Sequence, residues 1–189
     1  MFNVLLTLEE ISKTAYEIED LDIEAIALGK QNALNDFYIK AHKSIYGFAL
    51  SITKNKFDAE DVLQETVLAV YNNAGNYKSH GKPMAWVLTI AKNFALAKFR
   101  DEKKQASFSE SIGYKDIDFS EIDNIQQRLL IEGAFTALQD DEHSIITLKT
   151  VSGLNFREIA ELLESPLGSV LSKYHRALKK LKKYLEGSI

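Results

Sequence analysis

The stretch NFREIAELLESPLGSVLSKYHRALKKLKKYL, residues 155–185, decides the fold class. Asn155 has Glu158 three residues on, the spacing of a capping box, so a short helix opens there. Leu163-Glu164-Ser165 makes a tight turn, and Ser165-Pro166 reads as an N-cap followed by proline at the first helical position. The helix after it is about 20 residues long, roughly 30 Å at 1.5 Å per residue. At 100° per residue it separates its chemistry. Val170, Tyr174, Ala177, Leu178, Leu181 and Leu185 fall on one side, and Ser169, Ser172, Lys173, Arg176, Lys180 and Lys183 on the other. Two helices on a tight turn, the second with an apolar inner face and hydrogen-bond donors outside, read as a helix-turn-helix whose second helix enters a major groove. Its later lysines reach phosphates. A solvated amphipathic helix with a cationic C-terminus has the same pattern, and the capped helix and Ser-Pro start weigh toward DNA.

Working outward, the rest of the chain repeats the three-four apolar spacing of helices, with only two prolines and nine glycines in 189 residues. Leu34, Phe37, Ala41, Ile45, Phe48 and Ile52 form one stripe, broken at residues 54–57. Asp58 is read as the N-cap of the next helix, which runs to about Tyr71. Asn72 to Pro83 is rich in asparagine and glycine and is read as a loop. A third helix follows over about Met84–Lys103. Residues 105–124 are acidic and lack a stripe, which predicts a linker. Beyond them Asp140 or Asp141 is expected to cap a helix that runs through Val151 and ends at Gly153. The expectation is an all-α protein of two small helical domains. Its parts are an acidic N-terminal segment (1–24), a first domain (25–104), the linker (105–124) and the helix-turn-helix domain (125–189).

Composition excludes several classes. There is no cysteine, hence no disulfide framework, no thiolate zinc site and no thiol nucleophile. No apolar run is long enough for a membrane span, and the N-terminus does not read as a signal peptide. The net charge of −4 argues mildly against a nucleic-acid partner until it is mapped. Residues 167–189 carry +5 and residues 90–104 carry +3, against −5 in residues 1–30 and −7 in residues 105–145. Such segregation informs about partners where the total does not.

On the helix over 84–103, Val87, Ile90, Ala91 and Phe94 suit a core, while Thr89, Lys92, Asn93, Arg100 and Lys103 share the opposite face with Trp86 at its edge. Cations follow phosphates and aromatics stack on unpaired bases. The loop before it, Gly75–Pro83 with Tyr77, is read as lining a pocket for an extruded base. Asp58, Glu60, Asp61, Gln64 and Glu65 are read as one exposed acidic side, suited to docking a protein. The four histidines are scattered, and no metal-ligand or catalytic signature stands out.

Three tracts, Asp58–Thr66, Ala85–Asn93 and Gly168–Leu181, resemble in order and separation those of the extracytoplasmic-function sigma factors of the bacterial sigma-70-like family. The resemblance implies a cytoplasmic, non-enzymatic, cofactor-free initiation factor that directs core RNA polymerase to promoters. Asp58, Glu60, Asp61, Gln64 and Glu65 would meet the polymerase clamp helices. Tyr77, Trp86, Thr89, Lys92, Asn93 and Arg100 would meet the minus-ten strand, and Ser169, Ser172, Lys173, Arg176 and Lys180 the minus-thirty-five element. An anti-sigma factor is a further partner the resemblance allows. Lys173 stands where the family often has arginine, and lysine cannot copy bidentate guanine recognition. Glu164 replaces a frequent turn glycine, so a strained turn is expected there if the position needs positive φ. The residues alone leave open a helix-turn-helix regulator with a helical sensing or dimerisation domain. The charge map predicts that the N-terminal segment or the linker restrains DNA binding until polymerase separates the domains.

Overall fold

The computed structural model describes residues 18–105 and 133–187, and every regular element among them is helical. In order these are α1 (Asp20–Ala27), α2 (Ala33–Thr53), α3 (Lys56–Asn73), a 3₁₀ turn at Ala74–Asn76, α4 (Pro83–Gln105), α5 (Asp140–Thr150), α6 (Phe156–Leu162) and α7 (Leu167–Gly187). The all-α expectation holds, and the stripe read on α2 is its buried face, with Phe37, Ala41, Ile45 and Phe48 fully enclosed.

The boundaries bring corrections. The break between α2 and α3 is only two residues, because Lys54 turns left-handed (φ 59°) and Asn55, not Asp58, caps α3. The Asn55 side chain accepts from the backbone N–H of Phe57 (2.9 Å) and Asp58 (3.4 Å). Asp58 lies in the first turn, where its charge still meets the helix dipole. The loop expected from Asn72 starts only at Tyr77, since α3 and the 3₁₀ turn carry the chain to Asn76. The cap of α5 is Gln139, in a reciprocal box with Glu142, and Asp140 and Asp141 fill the first turn. Asn155 and Glu158 do form the box read from sequence. α7 begins one residue later than read, with the Pro166 carbonyl accepting from Val170 N–H at 3.1 Å. α1 was not anticipated within the acidic segment; Glu19 and Asp22 close its first turn, and Ile23 and Ile26 bury its inner face. Residues 1–17, and the expected linker beyond Gln105, lie outside the described residues.

α2, α3 and α4 pack into a bundle around Phe37, Ile45, Phe48, Val62, Val87 and Leu88. α5, α6 and α7 close around Ile145, Leu148, Ile159 and Val170, and these side chains belong to the same contiguous core. The seam between the units runs along a stripe of small residues on α2. The Ser44 hydroxyl donates to the Val151 carbonyl (3.1 Å), and the Ser51 and Ser144 hydroxyls are 2.9 Å apart. Between them a Cβ on Gly47 would stand 3.3 Å from the Thr147 methyl. The absence of a side chain there lets α5 approach, and the serines satisfy polar groups that burial would otherwise penalise.

His143 on α5 is fully buried, edge-on to Phe135 at 5.3 Å. Burial, reinforced by the Lys54 charge, pushes its pKa down from 6.5 to about 3. Between those values the unfolded chain takes up a proton that the folded chain refuses, so this stability is complete above pH 6.5 and is lost as pH falls toward 3. Moving from pH 7.5 to pH 5 is therefore expected to cost about 2 kcal/mol at this site. Urea midpoints of the wild type and His143→Leu at the two pH values check it: the variant should show the shallower pH dependence, and equal slopes would remove His143 as the cause.

Candidate nucleic-acid interface

The acidic face of α3 is built as the spacing implied, with Glu60, Asp61, Gln64 and Glu65 exposed and Asp58 partly covered. Sequence reasoning missed its apolar component. Phe57, Leu68 and Tyr71 are 65%, 60% and 55% exposed and follow the same helical line as Asp61 and Gln64. The signal was available, since these large side chains fall off the buried stripe of Ala59, Val62, Thr66 and Val70. An apolar strip with aromatic side chains, rimmed by carboxylates, shares its composition with protein-docking surfaces. Lys98 of α4 reaches over its edge, 2.9 Å from Asp61 and 4.0 Å from Glu65. The hydrogen bond to Asp61 holds the Lys98 ammonium above its usual pKa.

Tyr77, Trp86, Thr89, Lys92 and Asn93 line one wall of an open groove of about 510 Å³. The Tyr77 and Trp86 rings are tilted against one another, 4.8 Å between centroids. Thr89 donates its hydroxyl to the Ala85 carbonyl one turn back (2.8 Å), which leaves lone pairs outward. Arg100 is exposed, two turns beyond Asn93 on the same face of α4. Lys78, His80 and Lys82 complete this wall, so it offers cations, amides and an aromatic pair together.

The opposite wall is acidic and comes from α6 and the turn after it: Glu158, Glu161, Leu162 and Glu164. Lys92 donates to the Leu162 carbonyl (2.9 Å) and to Glu164 (2.6 Å), and Lys82 lies 3.5 Å from Glu161. Glu164 has φ 50°, the left-handed backbone expected from the missing glycine. That conformation costs a non-glycine residue roughly 1–2 kcal/mol. The hydrogen bond from Lys92 holds the Glu164 carboxyl below its usual range, so the residue that strains the turn also reaches across to α4.

On α7, Ser169, Ser172 and Arg176 are exposed, while Val170, Ala177 and Leu181 are buried as read. The lysines differ. Lys173 pairs with Asp141 at 2.5 Å, and Lys180 pairs at 2.6 Å with Glu142, which is only 2% exposed. Burial raises the Glu142 pKa, but the hydrogen bonds from Lys180 and from Gln139 N–H outweigh it and the carboxyl ends below its usual value. Lys180 thus serves the fold by neutralising a buried carboxylate, and it was singled out from sequence only for DNA. Among the described residues, acids of residues 140–164 pair with Lys92, Lys173 and Lys180, and Asp61 and Glu65 with Lys98. Among the described residues no group of three or more metal-ligating side chains converges, and no helix is long and apolar enough to cross a membrane.

Comparison with known proteins follows the same division. Two family models match, "Sigma-70 region 2" over residues 37–105 and "Sigma-70, region 4" over residues 128–181. The ECF RNA polymerase sigma factor SigK of Mycobacterium ulcerans is 26% identical over 174 residues, covering 88% of this chain and 92% of that protein. SigM of Bacillus subtilis is 28% identical over 152 residues, covering 79% and 93%. Among solved structures, RpoE bound to the anti-sigma factor NepR from Bartonella quintana aligns with a TM-score of 0.64 at 22% identity, covering 82% of this chain and 98% of that one. CnrH, in complex with the cytosolic domain of CnrY, aligns at 0.60 and 18%, covering 90% and 98%.

Proposed function

This chain belongs to the extracytoplasmic-function group of the sigma-70 family, and we infer that its three polar helix faces divide the work of a transcription initiation factor. It directs core RNA polymerase to promoters, recognising a minus-thirty-five element and opening a minus-ten element. The α3 face, with Asp61, Gln64 and Glu65 around Phe57, Leu68 and Tyr71, docks on core polymerase. The α4 groove takes the unpaired minus-ten strand, with Lys92 and Arg100 on phosphates, Asn93 and Thr89 on polar edges, and the loop at 77–82 over Trp86 holding a flipped base. Ser169, Ser172, Lys173 and Arg176 of α7 meet the minus-thirty-five duplex. Melting then draws on binding energy, because a base gains its stacking and polar contacts here only once it has left the helix.

The observation that carries this reading is the order of the faces along the chain: docking helix, aromatic groove with cations, then a basic helix-turn-helix, in step with the two matched regions. A helix-turn-helix regulator with a sensing or dimerisation domain does not account for the match to both sigma-70 regions in this order. The protein acts without catalytic chemistry of its own, in the cytoplasm where polymerase works. An anti-sigma partner is part of the proposal, since RpoE and CnrH were each captured with another protein.

In the arrangement described, Lys92 and Lys173 are already occupied by Glu164 and Asp141. DNA therefore competes with this chain's own carboxylates: Glu164 leaves Lys92 once the two helical units part, whereas Asp141 shares a unit with Lys173 and has to be displaced by the DNA itself. Glu164→Gln removes one such competitor, and because an exposed ion pair is worth at most about 1 kcal/mol, polymerase-free affinity for a minus-ten single strand should rise by a few-fold. Fluorescence anisotropy with a labelled strand at low salt reads it, and an unchanged or lower affinity would show that the pair does not hold DNA off. The reading as a whole is tested by permanganate footprinting. Thymines of the minus-ten element should become reactive when this chain is added to core polymerase on its promoter, and reactivity equal to that with core alone would refute it.

A further inference from the structure

Asp20, which neither matched region includes, gathers three donors from a loop inside the first of them. Asp20 opens α1, 57–61 residues before the loop it touches. Its Oδ1 accepts from the Tyr77 hydroxyl at 2.5 Å, and its Oδ2 accepts from the Ser79 hydroxyl and, at 3.0 Å, from the Gly81 backbone N–H. Hydrogen bonds from Ser79 and Tyr77 hold the Asp20 carboxyl below its usual pKa, so it is charged at neutral pH. α1 is itself fixed by the burial of Ile23 and Ile26 and by Asp22, 2.7 Å from Lys40 of α2.

The loop has few other supports. Tyr77 N–H bonds back to Ala74 (3.1 Å) and Trp86 N–H to Lys82 (3.2 Å), which pins the two ends. Lys78, Ser79 and His80 are exposed, and Gly81 turns left-handed (φ 67°) to bring its N–H toward the carboxylate. A carboxylate is an acceptor on both oxygens, and charge-assisted hydrogen bonds are the stronger kind. It matches a hydroxyl on one side and a hydroxyl plus an amide on the other.

We propose that Asp20 is a positioning residue for promoter opening: its carboxylate sets the 77–81 loop and the Tyr77 ring in the shape that receives an unpaired base beside Trp86. This rests on the base-pocket reading of the loop given above. A loop that must order itself on binding subtracts that cost from the affinity of the captured base, and a loop held beforehand does not. α1 thus acts through Tyr77 and Ser79, without contact to DNA.

The test uses holoenzyme assembled from core polymerase and the full chain, with fork templates whose non-template strand carries an abasic site at each minus-ten position in turn. Wild-type affinity should fall roughly tenfold at one position, the equivalent of one base stacked on an aromatic. Asp20→Asn keeps the shape of the side chain but turns one acceptor into a donor facing donors. It should lose about as much on the intact template, yet lose little more when that same base is missing. Ser79→Ala, which removes a single donor, should give a smaller loss at the same position, and it serves if Asp20→Asn folds poorly. Core affinity, measured by titration, should be unchanged in both variants. Equal weakening of intact and abasic templates, or no weakening of the intact one, would overturn the role of Asp20 while the wild-type dip preserves the pocket. Absence of any position-specific dip in the wild type would overturn the pocket reading, and Asp20's role with it.

Discussion

Asp61→Arg is expected to lower affinity for core polymerase by at least about tenfold, some 1.4 kcal/mol, while leaving the fold intact. Asp61 is 56% exposed at its side chain and contributes no core contact, so the substitution reverses charge on a surface and not within one. It also replaces the partner of Lys98 with a like charge, which pushes two cations apart on the proposed docking face. The apolar strip beside it explains why a single charge reversal is costly. In the proposed docking, the exposed Phe57, Leu68 and Tyr71 would supply the burial at the centre, and a misplaced cation at the rim would keep them from seating. Titration of labelled protein against core polymerase measures the effect, with thermal unfolding as the check on folding. Unchanged affinity in a folded variant would remove α3 from the docking role.

Lys173→Ala combined with Arg176→Ala is expected to reduce binding of holoenzyme to the minus-thirty-five duplex by roughly a hundredfold, since a direct base contact alone is worth about 1–3 kcal/mol. If both side chains meet phosphates, the slope of log affinity against log salt should also shrink by about 1.8. Removing Lys173 uncovers Asp141, which then faces the DNA and adds repulsion to the lost attraction. Core affinity should not change, because the α7 face is separate from α3. Competition binding on duplexes of several sequences distinguishes the parts: a uniform loss assigns both residues to phosphates, and a loss confined to one sequence assigns Arg176 to a base. Wild-type affinity and salt slope in the double variant would exclude this face from DNA.

Much of this was legible in the sequence because helices carry periodic signals. The buried face of α2, the box at Asn155 and Glu158, and the division of α7 into apolar and polar sides all follow from spacing alone. The condition that the family resemblance attached to Glu164, strain if its position needs positive φ, is met, since its φ is 50°. What was not legible depends on contacts between distant segments. Ser44, Gly47 and Ser51 are weak helix formers by propensity, and only the approach of α5 gives them a purpose. Lys180 looked like its neighbours on the basic face until Glu142, nearly forty residues away in sequence, proved to be buried against it. The charge map pointed to competition between acids and the basic helices, and located it in the N-terminal segment or linker. Among the described residues, the acids paired with Lys82, Lys92 and Lys173 are Glu161, Glu164 and Asp141, all in the second helical unit, while most of the N-terminal segment and nearly all of the linker lie outside the described residues. Asp20, counted only as part of an acidic segment, gathers three donors from a loop some sixty residues on. Charge segregation can be summed from a sequence, but the pairing of particular charges is a property of packing.

Run-off transcription on a library of promoter templates measures whether this chain confers promoter recognition on core polymerase. With the chain present, core polymerase should transcribe a distinct subset of templates sharing a minus-thirty-five and a minus-ten element, and the chain should co-elute with core. Transcription no higher than with core alone on every template, together with no co-elution, would contradict it.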